Sequence, residues 1–252
     1  MPLWKSLLYF GIPVVIVLIL VYAVMPFFDE QGLPIFYNYF LVYATLPMLV
    51  MIATAFIAYK LEGHPLSGLE IRKRFRLNKM GRKSWLWTFG LMAFMLLTAG
   101  LLSPTASWLA FSLHLVPPES WPAELNPLKS SGPDMGTIPT NFLGIPLAGQ
   151  WWVFMFLLTS LVIATFGEEL WWRGIILPRQ ELTHGKGTWI IHGLLWTLFH
   201  IFTPWNLITL LPGCLALAYV AQRLKNTWPG IIAHGLTNGL PVLTMVLLGI
   251  LQ

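Results

Sequence analysis

Residues Trp151-Trp-Val-Phe-Met-Phe-Leu-Leu-Thr-Ser-Leu-Val-Ile-Ala-Thr-Phe166 run without a charge, and Gly167-Glu168-Glu169-Leu170-Trp171-Trp172-Arg173-Gly174 follow at once. The first part is long enough to enter a bilayer. The second ends it with two carboxylates and a guanidinium. A centrally placed charge costs roughly 2.5–3.5 kcal/mol to insert. Ionisable residues kept near membrane depth are therefore read first as functional, and as paired. The stretch predicts a membrane helix with chemistry at one end.

The rest of the chain agrees with a polytopic membrane protein. Of its 252 residues 56% are hydrophobic and 10% charged, against about 25% charged in a soluble domain, and the mean hydropathy is +0.70. Many of the 13 Trp and 16 Phe stand near the ends of apolar runs, as interfacial anchors do. The single cysteine, Cys214, excludes an intrachain disulfide and a Cys-rich metal site. A pI of 9.4 suggests nucleic acid on its face, but the basic residues cluster beside apolar segments. That placement points to orientation and anionic headgroups, with no nucleic-acid partner.

A membrane helix needs about 20 mostly apolar residues. The expectation is an all-α transmembrane bundle of seven helices, at about 6–27, 36–59, 86–114, 150–170, 188–203, 206–222 and 229–250. The third is long enough to break near Ser103-Pro104, which would give an eighth element. The first exceeds the roughly 7–15 apolar residues of a signal peptide and reads as an uncleaved helix. With the amino terminus inside, fourteen of the 15 Lys and Arg fall on the cytoplasmic side and only Lys129 outside, as the positive-inside rule asks. The 60–85 loop is read as topology determinants, with a short amphipathic helix on anionic lipid headgroups as the sharper alternative. The external loop at about 116–149, with Glu119, Glu124 and Asp134, reads as irregular. Residues 1–252 form one integral membrane domain, with helices and loops over 1–149 and the chemistry in 150–250.

That division rests on where polar residues lie. Glu168, Glu169, Arg173, His192, His200, His234 and Asn238 all sit within or beside apolar runs, and the earlier segments have little of the kind. On an α-helix Glu169 and Arg173 share a face at i,i+4, whereas Glu168 points about 100° away. One carboxylate is thus predicted to be structural and the other free for a reaction. A Glu pair at a helix carboxyl end is disfavoured by the macrodipole, so simple capping does not explain it. His234 and Asn238, also i,i+4, can donate to one point, as an oxyanion requires, although such pairs more often join helices. His192, Trp196 and His200 recur every four residues, and at least one histidine there is read as packing. Two Glu and several His suffice to ligate zinc, but His-Glu-x-x-His is absent, as is Gly-x-Ser-x-Gly.

Three motifs in this order, Glu168-Glu169-x-x-x-Arg173, Trp196-x-x-x-His200 and His234-x-x-x-Asn238, resemble the CAAX protease and bacteriocin-processing family of intramembrane endopeptidases. The match covers about Trp151 to Val246. One departure is visible: the family's second motif usually begins with Phe, and here that position is Trp196. The resemblance implies a membrane-embedded protease acting on a membrane-associated protein or peptide, of CAAX or bacteriocin type. It implies Glu168 as general base, His200 positioning the water, His234 and Asn238 holding the oxyanion, and Glu169, Arg173 and Trp196 in support. It implies no cofactor, zinc being the lesser alternative. The short loops point to a bacterial or archaeal cell membrane, and the count of Lys and Arg puts the site toward the cytoplasmic end of the fourth crossing. The competing reading is a non-enzymatic immunity or partner-binding protein of the same fold. A small transporter with Glu and His on a proton path is a third.

Overall fold

The computed structural model describes residues 1–115, 117–122, 125–129 and 138–252. Two long helical runs open the chain: α1 is Leu3–Glu30 and α2 is Ile35–Leu61. Each widens into a π-type stretch, Leu20–Val24 in α1 and Asn38–Thr45 in α2. The looser turns leave carbonyls to be met from outside the ladder, and Asn38 Nδ2 donates to the Met25 carbonyl at 2.8 Å. A short helix α3, Gly68–Arg74, precedes α4, Arg82–Leu102, and α5, Pro104–Ser112. An antiparallel hairpin, β1 Asn141–Phe142 and β2 Ile145–Pro146, leads into the last hundred residues.

There α6, Trp151–Glu169, passes directly into a π-type turn, Leu170–Ile176. Helices α7, Leu177–His184, α8, Thr188–Phe199, α9, Leu207–Leu224, and α10, Trp228–Ile250, complete the bundle. It is an all-α polytopic bundle. Leu8, Ile12, Val15 and Ile19 of α1 and Leu86, Phe89 and Leu97 of α4 face outward. An apolar surface of that extent is what hydrocarbon solvates and water does not.

Among the described residues six helical runs are long and apolar enough to cross a membrane. The fourth, Trp151–Phe202, has 52 residues and holds both segments expected at about 150–170 and 188–203. It turns at Gly185, whose φ of +57° favours glycine. Helix α8 covers 12 residues, about 18 Å, so it is shorter than the ~30 Å hydrocarbon core. The expected break at Ser103-Pro104 separates α4 from α5, and the nine residues of α5 reach only about 14 Å. In the 116–149 loop the hairpin is regular, and Leu143 and Leu147 are buried against α10 residues Val246 and Ile250. Glu124 and Asp134 lie outside the described residues.

One end of the bundle gathers charge. Arg74 and Arg179 both bind Glu62, and Arg76 binds Glu181 through two bonds of 2.8 Å. Lys225 joins Glu181, and the amino terminus donates to the Arg179 carbonyl. The 60–85 loop is therefore docked by Arg74, Phe75 and Arg76, and is not simply laid on a surface. Phe75 is fully buried, while Arg72, Lys73 and Lys79 remain exposed.

Candidate active site

The geometry starts with glycine. A Cβ on Gly230 would stand 2.5 Å from Glu169 Oε2, and one on Gly235 would stand 3.3 Å from Thr165 Oγ1. Without side chains at these points α10 lies directly on α6, as small residues permit in membrane helix pairs. A Cβ on Gly167 would stand 2.7 Å from the Met48 carbonyl oxygen, so α2 closes on α6 from another side. The end of α6 is thereby fixed between two helices.

From that end Glu169 points inward. It is completely buried, and its Oε1 lies 3.1 Å from Arg173 Nη1 and 3.0 Å from His234 Nδ1. The pairing with Arg173 is the one the i,i+4 spacing predicts, although the helix widens to a π turn immediately after Glu169. The bond to His234 is not predicted by spacing within one helix. A carboxylate accepts, so the imidazole proton sits on Nδ1 and Nε2 is left for another partner.

Glu168, one residue earlier, points elsewhere and is only half-buried. Its Oε2 accepts the indole N–H of Trp196 at 2.9 Å. The face of the same indole carries the Arg173 guanidinium, 3.5 Å from the ring centroid, within the range of a cation–π contact. Trp196 also offers its carbonyl to His200 Nδ1 at 2.8 Å. A carbonyl only accepts, so His200 holds its proton on Nδ1 and has Nε2 free. Both imidazoles lie edge-on to Trp196, with ring centroids 5.4 Å away for His200 and 5.5 Å for His234. His200 is placed by the end of α8. The chain leaves the helix there, with Pro204 close behind and the Thr203 hydroxyl donating to the His200 carbonyl at 3.2 Å.

Glu168, Glu169, Arg173, Trp196, His200 and His234 thus form one connected cluster. Asn238, one turn beyond His234, is exposed and makes no side-chain hydrogen bond among the described residues. His192 is separate: it is buried, shares a 2.6 Å bond with Gln180 and packs edge-on to Phe10. It is the packing histidine of the predicted row. The Glu169–His234 bond and the Trp196–Glu168 bond were not foreseen. A tryptophan where an aromatic wall alone would suffice was the available signal for the second.

The buried pair is incompletely satisfied. Arg173 Nε, Nη1 and Nη2 and Glu169 Oε2 have no hydrogen-bond partner among the described residues, the 3.1 Å approach of Nη1 to Glu169 Oε1 being an ion-pair contact without hydrogen-bond geometry, and such groups are costly in a dry interior. Zinc would need three or more donors at about 2.0–2.2 Å. Among the described residues no three His, Cys, Asp or Glu side chains converge so. Glu169 is committed to Arg173 and His234, and each site imidazole gives its Nδ1 proton to a protein oxygen, which leaves Nε2 turned away from that partner. Beside the cluster, an apolar groove of about 570 Å³ runs between α1 and α2, with Trp171 and Phe199 on its wall. Phe199 packs against His200 at 5.2 Å between centroids.

Residues 150–240 match the family model for Rce1-like type II CAAX prenyl endopeptidases. No curated protein and no solved structure matches.

Proposed function

We propose that this integral membrane protein, whose residues 150–240 form an Rce1-like CAAX-type protease domain, hydrolyses peptide bonds with a water activated by Glu168. The observation that carries this reading is the separation of the two adjacent carboxylates. Glu169 is sealed against Arg173 and His234, whereas Glu168 is half-buried and its Oε1 has no partner among the described residues. A water between Glu168 Oε1 and His200 Nε2 would donate to both, which turns its lone pair outward toward a carbonyl carbon.

In this reading Glu168 takes the water's proton as oxygen bonds to the scissile carbonyl carbon. The oxyanion is met by His234 Nε2 and by the Asn238 amide. Donation from His234 then needs both ring protons, beside a carboxylate that offsets the charge. As the C–N bond breaks, Glu168 returns the proton to the leaving nitrogen. Arg173 pairs with Glu169 and lies over the Trp196 ring.

The substrate is a membrane-associated protein or peptide. We assign the CAAX-like or bacteriocin type to it, with its apolar part along the α1–α2 groove. We place the site toward the cytoplasm of a bacterial or archaeal cell, since the ion-paired end collects residues from the segments that satisfy the positive-inside rule. The exposed Arg72, Lys73 and Lys79 are assigned to anionic headgroups. Residues 1–149 and 150–250 act as one domain, because Phe75 and Met48 pack directly on the Gly167–Gly174 stretch.

The glutamate version is tested by assaying chelator-stripped protein on an internally quenched farnesylated CAAX-type peptide. Retained cleavage is expected. Loss of cleavage that zinc restores would overturn the glutamate version in favour of a metalloprotease.

A further inference from the structure

We infer that Trp196 is a positioning residue: its indole N–H fixes the rotamer and the reactive edge of Glu168. This rests on the reading of Glu168 as general base and goes beyond it, since an aromatic wall needs only a ring face.

A carboxylate on a half-buried helix end can rotate, and either oxygen can meet the water. The 2.9 Å bond from Trp196 Nε1 occupies Oε2, leaving Oε1 as the proton acceptor. The donor itself cannot wander. Trp196 is 3% exposed, its face is covered by Arg173 at 3.5 Å, and two imidazoles pack against it in T-shaped contacts. Its main-chain carbonyl meanwhile orients His200. One residue therefore sets the geometry of both groups proposed to hold the water.

The bond is not explained by a general need to satisfy buried indoles. The N–H groups of Trp121, Trp171, Trp172 and Trp205 are buried without an acceptor among the described residues. This bundle tolerates such groups, and Trp196 differs from them in being aimed at a carboxylate. Phenylalanine at 196 would keep an aromatic face for Arg173 and lose the donor. Such a protein folds but holds Glu168 loosely, and catalysis by a misplaced base falls steeply.

Two substitutions isolate the donor: Trp196→Phe, and replacement of Trp196 by benzothienylalanine, which keeps the bicyclic shape and exchanges N–H for sulfur. The first readout needs no substrate. The Glu168 carboxylate stretch is identified in infrared spectra by its loss in Glu168→Gln, and it should shift in both Trp196 proteins at unchanged melting temperature. An identical band would overturn the inference. The second readout is turnover of the quenched farnesylated CAAX-type peptide. A roughly tenfold fall in kcat is expected, as for loss of one hydrogen bond to a charged group, with KM within about twofold. If Glu168→Gln is inactive while both Trp196 proteins match wild type in kcat and in the carboxylate band, the inference fails alone. If Glu168→Gln turns over normally, the reading beneath it fails as well.

Discussion

At the scale of single residues, Glu168 and Glu169 share a sequence neighbourhood and almost nothing else. Burial and partners divide them. Glu169→Ala leaves the Arg173 charge buried without its carboxylate, and breaking such a pair costs about 3–5 kcal/mol. The expected result is a large drop in melting temperature in detergent, with activity lost alongside. Glu169→Gln removes the charge but keeps the shape, and should be only partly less damaging. The division between the carboxylates was legible in the sequence, because consecutive residues on a helix diverge by about 100°. The partner of His234 was not. Spacing within one helix reports which residues share its face, and it is silent about which face another helix presents.

At the scale of elements, the site is made by the approach of α6 and α10 and by the π turn after Glu169. Wide turns of this kind often mark functional positions. Here the turn leaves the Gly174 carbonyl to accept from Arg74 Nη1 at 2.6 Å. No apolar periodicity distinguishes such a turn from an α-helix, so it was not legible beforehand. Gly230 is the point at which the approach is most easily spoiled, since a Cβ there would meet Glu169 Oε2 at 2.5 Å. Gly230→Ala should displace that carboxylate, costing about 1–3 kcal/mol as overpacking does, and should lower kcat. Gly90→Ala, where a Cβ has open space, should leave melting and turnover unchanged in the same assays.

At the scale of the molecule, the charged end ties together segments far apart in sequence. Burial alone would raise the Glu62 carboxyl, but hydrogen bonds from Arg74 and Arg179 hold it down at about 2. A depressed carboxyl contributes stability above its unfolded value of about 4.3, and the contribution is lost as pH falls through the folded value. The melting temperature of wild type should therefore exceed that of Glu62→Gln at pH 6, and the gap should close between about pH 4 and pH 2. Because Glu62 is solvent-accessible, high salt should shrink the gap as well. A gap independent of pH would assign the effect to packing.

The bundle, its apolar exterior and the break at Ser103-Pro104 could be read from composition and segment length. The turn at Gly185, which parts the two expected segments within the run Trp151–Phe202, could not, because the chain is helical on either side of it. The docking of the basic loop was equally hidden. Charge clusters announce a side of the membrane, and the particular carboxylates that capture Arg74 and Arg76 come from residues over a hundred positions away, or from across a turn.

The most direct measurement is turnover of the quenched farnesylated CAAX-type peptide by Glu168→Gln, with insertion and melting checked against wild type. A folded, inserted protein is expected to lose activity by at least about 10²-fold, as removal of a general base does. Wild-type turnover by the same folded protein would contradict the assignment of Glu168 as the base.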